Sequence, residues 1–434
     1  MTEPQRCSLW LGQAVTDPAL SFRAIRVIGL RILALGAAAL GIMALAVPAH
    51  AAEPDLDALR ARLSGSGQTT SLLFLTQAER RVAFAHIDQV LTTRPVPASA
   101  TPRTLVDAHL DLRGVTYQVD DTTYSVADFL EQPAAIGLIV AQGDQVLLEH
   151  YAPGHTRESR WISFSVTKSV TSLLIGAAIQ DGFVDSVDEP VTNYLPRLRG
   201  TPYETATIRH VLNMASGVAW NEDYASPESD VARAGAANGL TLVRYLGGLP
   251  RVAAPGAVFN YNTGETNLAG EILRAAIGNN AATYLIHRIW QPFGMEHDAN
   301  WLTSGADGGE TGGCCISATL RDYLRLGQFA LTGGVLADGT RVLPPDWMTQ
   351  STKPSPGAAG YGYLWWLSPD GAYAARGIFG QQIFIDPDSR IVIAAHSNAA
   401  TATGDAYHKH LDAVTAALRA AVRASRPSVD GDRG

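Results

Sequence analysis

The stretch that most constrains the fold of this chain is residues 163–176, which read SFSVTKSVTSLLIG. Apart from Ser165 and Lys168 in its first turn, the segment is mostly apolar or small, as in a helix that is buried on nearly all sides. Residues three positions apart share one helical face, so the serine hydroxyl and the lysine amine can meet. The stretch therefore predicts a buried helix with one hydroxyl and one amine at its N-terminal end.

The lysine in this segment is rare in its chain. The sequence contains three lysines, Lys168, Lys353 and Lys409, against 30 arginines (33 basic residues minus 3). Arginine stays protonated in proteins, whereas a desolvated lysine loses its proton readily and becomes a base. A serine followed three residues later by a lysine is also a known catalytic signature. Taken alone, the pair has two interpretations: a catalytic dyad, or a helix-capping serine beside a lysine that reaches solvent.

The N-terminal residues have the composition of an export signal. Basic residues precede an apolar run at 32–46, and VPAHA at 47–51 ends in a small-x-small cleavage pattern. This combination is typical of a secretory signal peptide, and the run is short for a membrane span. We expect residues 1–51 to be removed and the mature protein to be periplasmic or secreted, without stable membrane insertion. The alternative is an uncleaved membrane anchor.

Composition excludes some classes of partner. The formal charge is −8 and we find no basic patch, so we predict no nucleic-acid partner. The histidines show no H-E-x-x-H spacing, so we predict no metal and no cofactor. Once the leader is removed, the adjacent pair Cys314 and Cys315 remains. Neighbouring cysteines rarely bond to each other, so we expect no long-range disulfide.

Hydrophobic patterning divides the mature chain into parts. We assign residues 52–133 to an N-terminal extension packed on the core, 134–424 to the main domain and 425–434 to a disordered tail. The main domain begins with a predicted hairpin and ends with further β-rich runs, whereas residues of about 166–350 are mainly helical. This order predicts an α+β fold in which an antiparallel sheet, built from both chain ends, is flanked by helices and carries a helical insertion.

Four further motifs accompany the serine–lysine pair: WNEDY at 220–224, PGAVFNYNTG at 255–264, RDYLRLGQ at 321–328 and ARGIFGQ at 375–381. In this order, they make the chain similar to the penicillin-recognising serine hydrolases, a group of β-lactamases, DD-peptidases and related esterases. The nylon-oligomer (6-aminohexanoate-dimer) hydrolase and carboxylesterase branch is the one it resembles most. The resemblance covers roughly residues 80–420 and implies a β-lactamase/DD-peptidase-like fold.

The resemblance also implies roles for single residues. Ser165 matches the acylated nucleophile, Lys168 the base that takes its proton, and Tyr261 the tyrosine that passes a proton to the leaving group. The backbone N–H of Ile378 is expected to join that of Ser165 in an oxyanion hole. A serine needs such an activating base because its hydroxyl is a poor nucleophile. The alternatives are purely structural roles: a core tyrosine at 261 and an ordinary strand-edge N–H at 378.

Three more residues are expected to contact the substrate. Tyr224 resembles a mobile-loop tyrosine that covers bound substrate, with an ordinary loop aromatic as the alternative. Thr263 stands where β-lactamases of the tyrosine type carry asparagine. Gly377 belongs to Ala375-Arg376-Gly377, which replaces the Lys-Thr-Gly motif that holds a β-lactam carboxylate. Both departures count against β-lactamase activity.

The sequence therefore predicts an exported amidase or carboxylesterase that acts on a small ester or linear amide through an acyl-serine, as a monomer or homodimer. One alternative is a DD-peptidase or β-lactamase that acts on cell-wall peptides or β-lactams. A second is a sensor that is acylated by a β-lactam or wall fragment and does not turn over.

Overall fold

The structure, a computed structural model, describes residues 54–66, 69–305 and 308–425. The predicted signal peptide at 1–51 and residues 426–434 of the predicted tail lie outside these ranges. The described α-helices are, in chain order, α1 Leu56–Ser66, α2 Gln77–Ala85, α3 Ile87–Val90, α4 Val126–Leu130, α5 Val166–Gln180, α6 Ile208–Leu212, α7 Asp230–Ala234, α8 Gly239–Gly247, α9 Thr263–Ile277, α10 Ala281–Leu285, α11 Leu320–Leu331, α12 Trp347–Ser351 and α13 Ala406–Ala424.

The strands form a seven-stranded sheet, a four-stranded sheet and a two-stranded ribbon. In chain order, the described strands are β1 Thr93–Val96, β2 Val106–Asp107, β3 Thr116–Val119, β4 Thr122–Ser125, β5 Ala135–Gln142, β6 Gln145–Tyr151, β7 Arg160–Ile162, β8 Ala299–Leu302, β9 Ile316–Thr319, β10 Trp366–Leu367, β11 Tyr373–Arg376, β12 Gln382–Asp386 and β13 Ile391–Ser397.

The main sheet joins the two ends of the predicted main domain. Its order is β10-β11-β12-β13-β5-β6-β2, so the late strand β13 pairs antiparallel with the early strand β5. This confirms an α+β fold whose sheet is built from both chain ends. The short edge strand β2 differs from the expectation, because it pairs parallel to β6.

Both faces of this sheet are buried, which explains its long apolar runs. Successive side chains of a strand point to opposite faces. In β5, Ile139 packs in a core with α5, α9 and α11, whereas Val140 packs in a second core with α13. Helix α11 lies close to the sheet, because a Cβ on its Gly327 would meet Val392 at 2.5 Å.

The motif ARGIFGQ at 375–381 spans the end of one strand and the turn that follows it. Strand β11 ends at Arg376, and β12 begins at Gln382. The helical part at about 166–350 also contains two strands, β8 and β9. They pair with β1 and β7 in the second, antiparallel sheet, which the apolar pattern of each short strand alone did not reveal.

The expectation for the cysteines also needs a correction. Cys314 and Cys315 are joined by a disulfide, although adjacent cysteines were not expected to bond. Because the two residues are neighbours, this disulfide links no distant segments of the chain. Separately, no helix within the described ranges has the length and apolarity needed to cross a bilayer.

Candidate active site

Ser165 lies where the second sheet meets the buried helix. Strand β7 ends at Ile162, and Ser165 is the N-cap residue of α5. The connecting Phe164 has a φ of +46°, a left-handed conformation that is uncommon for a residue with a side chain. Such conformations cluster at functional sites. As expected, α5 is buried from Val166 to Ala178.

Lys168 is enclosed in the first turn of this helix, with 1% of its surface exposed. Its Nζ donates hydrogen bonds to Thr263 Oγ1 at 2.8 Å and to the Gly313 carbonyl at 3.2 Å. Burial lowers the pKa of Lys168 to about 8, and the negative charge of Glu222 opposes this shift. At pH 7 about a tenth of this amine is therefore unprotonated, and this fraction, which can act as a general base, grows as the pH rises towards 8.

Tyr261 lies beside this pair, immediately ahead of α9. Lys168 Nζ is 5.4 Å from the centroid of its ring, and the Trp366 ring is stacked on Tyr261 with centroids 5.6 Å apart. Burial and the Glu222 carboxylate raise the pKa of Tyr261, whereas hydrogen bonding with Ser165 acts in the opposite direction. The phenol consequently keeps its proton and can pass it on. Ser165 and Tyr261 line the same cavity, and the Lys168 amine lies against the Tyr261 ring.

Glu222 is a site residue that the sequence reasoning missed. Its carboxylate accepts hydrogen bonds from the Thr263 N–H at 3.0 Å and from the Tyr224 hydroxyl at 2.8 Å. It also accepts from the Thr263 hydroxyl and from Trp220 Nε1. Thr263 thus links the Lys168 amine to an acidic side chain. The WNEDY motif contained this signal, but only its tyrosine was singled out.

The predicted oxyanion donors are the backbone N–H groups of Ser165 and Ile378. Within the described residues, no group accepts a hydrogen bond from the backbone N–H of Ser165 or of Ile378. Both residues line the same two cavities. A Cβ on the preceding Gly377 would lie 2.6 Å from the Ser163 carbonyl, so glycine is needed for this close approach. This geometry suits two donors that face one carbonyl oxygen.

His408 is a second residue that the sequence reasoning missed. Its Nε2 lies 3.1 Å from the Ile378 carbonyl, and its Nδ1 lies 2.7 Å from Asp405 Oδ1. Both contacts are to acceptor oxygens, so the ring bridges Asp405 and the Ile378 peptide. His408 therefore orients the Ile378 peptide. Its spacing to Asp405 in the closing helix gave no indication of this role.

The motif Ala375-Arg376-Gly377, which stands in place of Lys-Thr-Gly, contributes an ion pair to the cleft. Arg376 forms an ion pair with Asp412 at 2.7 Å, and both side chains are exposed at the mouth of the cleft. Tyr224 and Thr263 line the cavity beside Ser165. Gly377 lines the larger neighbouring cleft.

The fold and this arrangement define a class of protein. A sheet formed by both chain ends, a helix that begins at a serine and buries a lysine, and a facing tyrosine are the features of serine hydrolases with a β-lactamase-like fold. The chain belongs to the Beta-lactamase family, whose profile matches residues 126–417.

Individual relatives agree with this assignment. The chain is 27% identical over 360 residues to a 6-aminohexanoate-dimer hydrolase of Paenarthrobacter ureafaciens, covering 76% of this chain and 88% of that protein. A Bacillus anthracis structure provisionally named a 6-aminohexanoate-dimer hydrolase superimposes with a TM-score of 0.70 at 22% identity, covering 80% of this chain and 95% of that one. A family VIII carboxylesterase superimposes with a TM-score of 0.52 at 16% identity, covering 67% and 95%. At these identities, the structural likeness shows the fold.

Proposed function

We propose that this protein is an exported serine hydrolase that cleaves an ester or a linear amide through an acyl-serine intermediate. The observation that carries the proposal is the enclosed Lys168 amine, whose pKa is lowered to about 8 in the turn below Ser165. Relatives named as an amide hydrolase and as a carboxylesterase support both substrate classes. Export rests on the leader-like composition of residues 1–51.

The proposed chemistry has two halves. In the first, Ser165 Oγ bonds to the carbonyl carbon and gives its proton to neutral Lys168. The oxygen that becomes negative faces the N–H groups of Ser165 and Ile378, where one donor is commonly worth about 3–4 kcal/mol. The proton then passes through the Tyr261 hydroxyl to the leaving oxygen or nitrogen as its bond to carbon breaks.

The second half releases the acyl group. Water attacks the ester carbon of the acyl-serine and gives its proton to the unprotonated Lys168 amine. As the bond between carbon and Ser165 Oγ breaks, this proton returns to Ser165 and the acid departs. Each group ends in its starting state, so the reaction needs water and no other co-reactant.

The proposed chemistry requires a hydrogen bond between the Lys168 amine and the Ser165 hydroxyl. In the described residues, the amine is hydrogen-bonded to Thr263 and Gly313, and no hydrogen bond joins it to Ser165. Catalytic hydrogen bonds are often long in unliganded sites and tighten when substrate binds.

The test is steady-state turnover by the purified mature chain. The panel holds p-nitrophenyl butyrate, the linear 6-aminohexanoate dimer, a D-Ala-D-Ala peptide and nitrocefin. Ser165→Ala removes the nucleophile, and Ser172→Ala is the matched control because its buried hydroxyl on the same helix has no hydrogen-bond partner. Turnover of the ester or dimer by wild type and Ser172→Ala alone supports the proposal.

Other outcomes contradict it in distinct ways. If activity survives in Ser165→Ala, Ser165 is not the nucleophile. Turnover confined to the D-Ala-D-Ala peptide or nitrocefin favours a DD-peptidase or β-lactamase. A stable acyl adduct seen by intact mass, without turnover, favours a sensor. Export is tested separately, by the mass of the mature N-terminus recovered from a periplasmic or secreted fraction.

A further inference from the structure

Two cavities of different size meet at Ser165. The smaller has a volume of about 40 Å³, and the larger has a volume of about 800 Å³. Ser165, Tyr224 and Ile378 line both of them, so a carbonyl group held between the two N–H donors has one cavity on each side. The two halves of a substrate must therefore enter different spaces.

The position of Tyr261 indicates which half enters which space. Tyr261 lines the larger cavity and does not line the smaller one. In the proposed function, on which this inference rests, Tyr261 passes the proton to the leaving group. The leaving alcohol or amine consequently occupies the larger cavity, and the acyl chain occupies the smaller one.

The smaller cavity is lined almost entirely by apolar surface, and its volume is small. A water-sized group needs about 10–15 Å³ of such volume, so the cavity holds about three or four groups of that size. Beyond Ser165 and the backbone, it is walled chiefly by Leu73, Phe164, Val231, Cys314 and Ile378. This space fits an acyl chain of about two to four carbons. Among the described residues that line it, none is a carboxylate that could pair with a terminal ammonium.

Charged side chains line part of the larger cavity, within a surface that is otherwise mostly apolar. Its charged lining residues include Asp223, Arg376, Asp405, Lys409 and Asp412. Such a lining favours a leaving group with several polar or charged atoms. We infer that the preferred substrates join a short apolar acyl group to a large polar alcohol or amine, and that Leu73 sets the upper limit on acyl length.

Leu73 comes from a part of the chain remote from the catalytic motifs. It belongs to the helical turn Thr69–Phe74, ahead of the family region at 126–417, and this turn packs against α7. Val231 of α7 lines the same cavity. The N-terminal extension thus supplies one wall of the acyl pocket, although it carries none of the reacting groups.

The experiment measures kcat/KM for p-nitrophenyl esters from acetate to octanoate. The wild type is expected to lose activity steeply beyond butyrate. Leu73→Ala is expected to raise the ratio of kcat/KM for octanoate to kcat/KM for acetate at least about tenfold, because added space for methylene groups usually has an effect of this size. Leu73→Phe is expected to lower the same ratio. Phe74→Ala is the matched control, because this neighbouring side chain is 52% exposed and does not line the pocket. Acetate turnover shows that each variant is folded.

A second series keeps the acetyl group and enlarges the alcohol from methyl to glyceryl to glucosyl, with acetate release as the readout. Large polar alcohols are expected to be accepted by all variants. If Leu73→Ala changes the alcohol preference but not the acyl preference, the two cavities are assigned the wrong way round. Unchanged ratios in both series, with Ser165-dependent turnover, overturn this inference alone. Absence of Ser165-dependent turnover on every ester overturns the proposed function and the inference with it.

Discussion

Lys168 Nζ donates a 2.8 Å hydrogen bond to the Thr263 hydroxyl, and that hydroxyl donates in turn to the Glu222 carboxylate. The amine at the base of the helix is therefore connected to an acidic residue in a loop that lies over the site. Through this connection, the loop influences both the position and the charge of the proposed base.

The activity of the wild type should rise with pH through the titration of Lys168. The amine acts as a base only when it is neutral, and burial lowers its pKa to about 8. We expect kcat/KM on p-nitrophenyl butyrate to rise about tenfold per pH unit below this value and to level off above it. Measurement from pH 5.5 to 10 checks the profile. A rate that is flat across this range would show that Lys168 does not act as the base.

Glu222→Gln should shift this profile to lower pH. The carboxylate raises the pKa of Lys168, so its removal favours the neutral amine at a lower pH. The glutamine also weakens the contacts with Thr263 and Tyr224, so we expect the plateau rate to fall about tenfold. Glu228→Gln is the control, since Glu228 lies in the same loop and pairs with Arg233. If the profile of Glu222→Gln stays in place, the carboxylate does not act on Lys168.

Gly377→Ala should reduce turnover by about 10²-fold, the usual result of losing one oxyanion donor. The added Cβ would lie 2.5 Å from Gln381 Oε1 and 2.6 Å from the Ser163 carbonyl, so the peptide that presents the Ile378 N–H must shift. We expect kcat to fall more than KM changes. Gly360→Ala is the matched control, because its Cβ would meet only the Leu367 carbonyl at 3.7 Å. Equal kcat values for the two variants would rule out this placement of the oxyanion hole.

Glu265→Gln should remove a pH dependence of stability. Burial raises the pKa of Glu265 to about 8, against an ordinary value of 4.5, while hydrogen bonds from Ser216 and Tyr203 oppose the shift. The folded chain binds this proton more tightly than the unfolded chain, so the contribution to stability is full below about 4.5 and is lost as pH rises to about 8. The glutamine variant should therefore gain stability relative to wild type, on the order of a few kcal/mol by pH 8.

Urea unfolding of both proteins at pH 5 and pH 8 measures this difference. The wild type is expected to lose more of its free energy of unfolding between the two pH values than the variant does. Parallel losses would show that Glu265 titrates at its ordinary pKa in the folded chain.

The sequence by itself determined the central features of this protein. The i, i+3 spacing of Ser165 and Lys168 in an apolar segment is a local property, because helix geometry alone places the two on one face. The motif around Tyr261 and the alternation of apolar runs at both chain ends likewise indicated the site and the α+β fold. These features depend on residues near one another in the chain, and the α+β fold expected from them is the fold that the structure has.

Only the tertiary structure decided which distant groups complete the site. Glu222 reaches Lys168 through Thr263, and His408 holds the Ile378 peptide, across separations that no local periodicity encodes. Leu73 lies more than 90 residues ahead of the nucleophile, yet both line one small cavity. Hydrogen-bond partners and pocket walls depend on how loops pack against the sheet and helices, and this packing is a property of the whole folded chain.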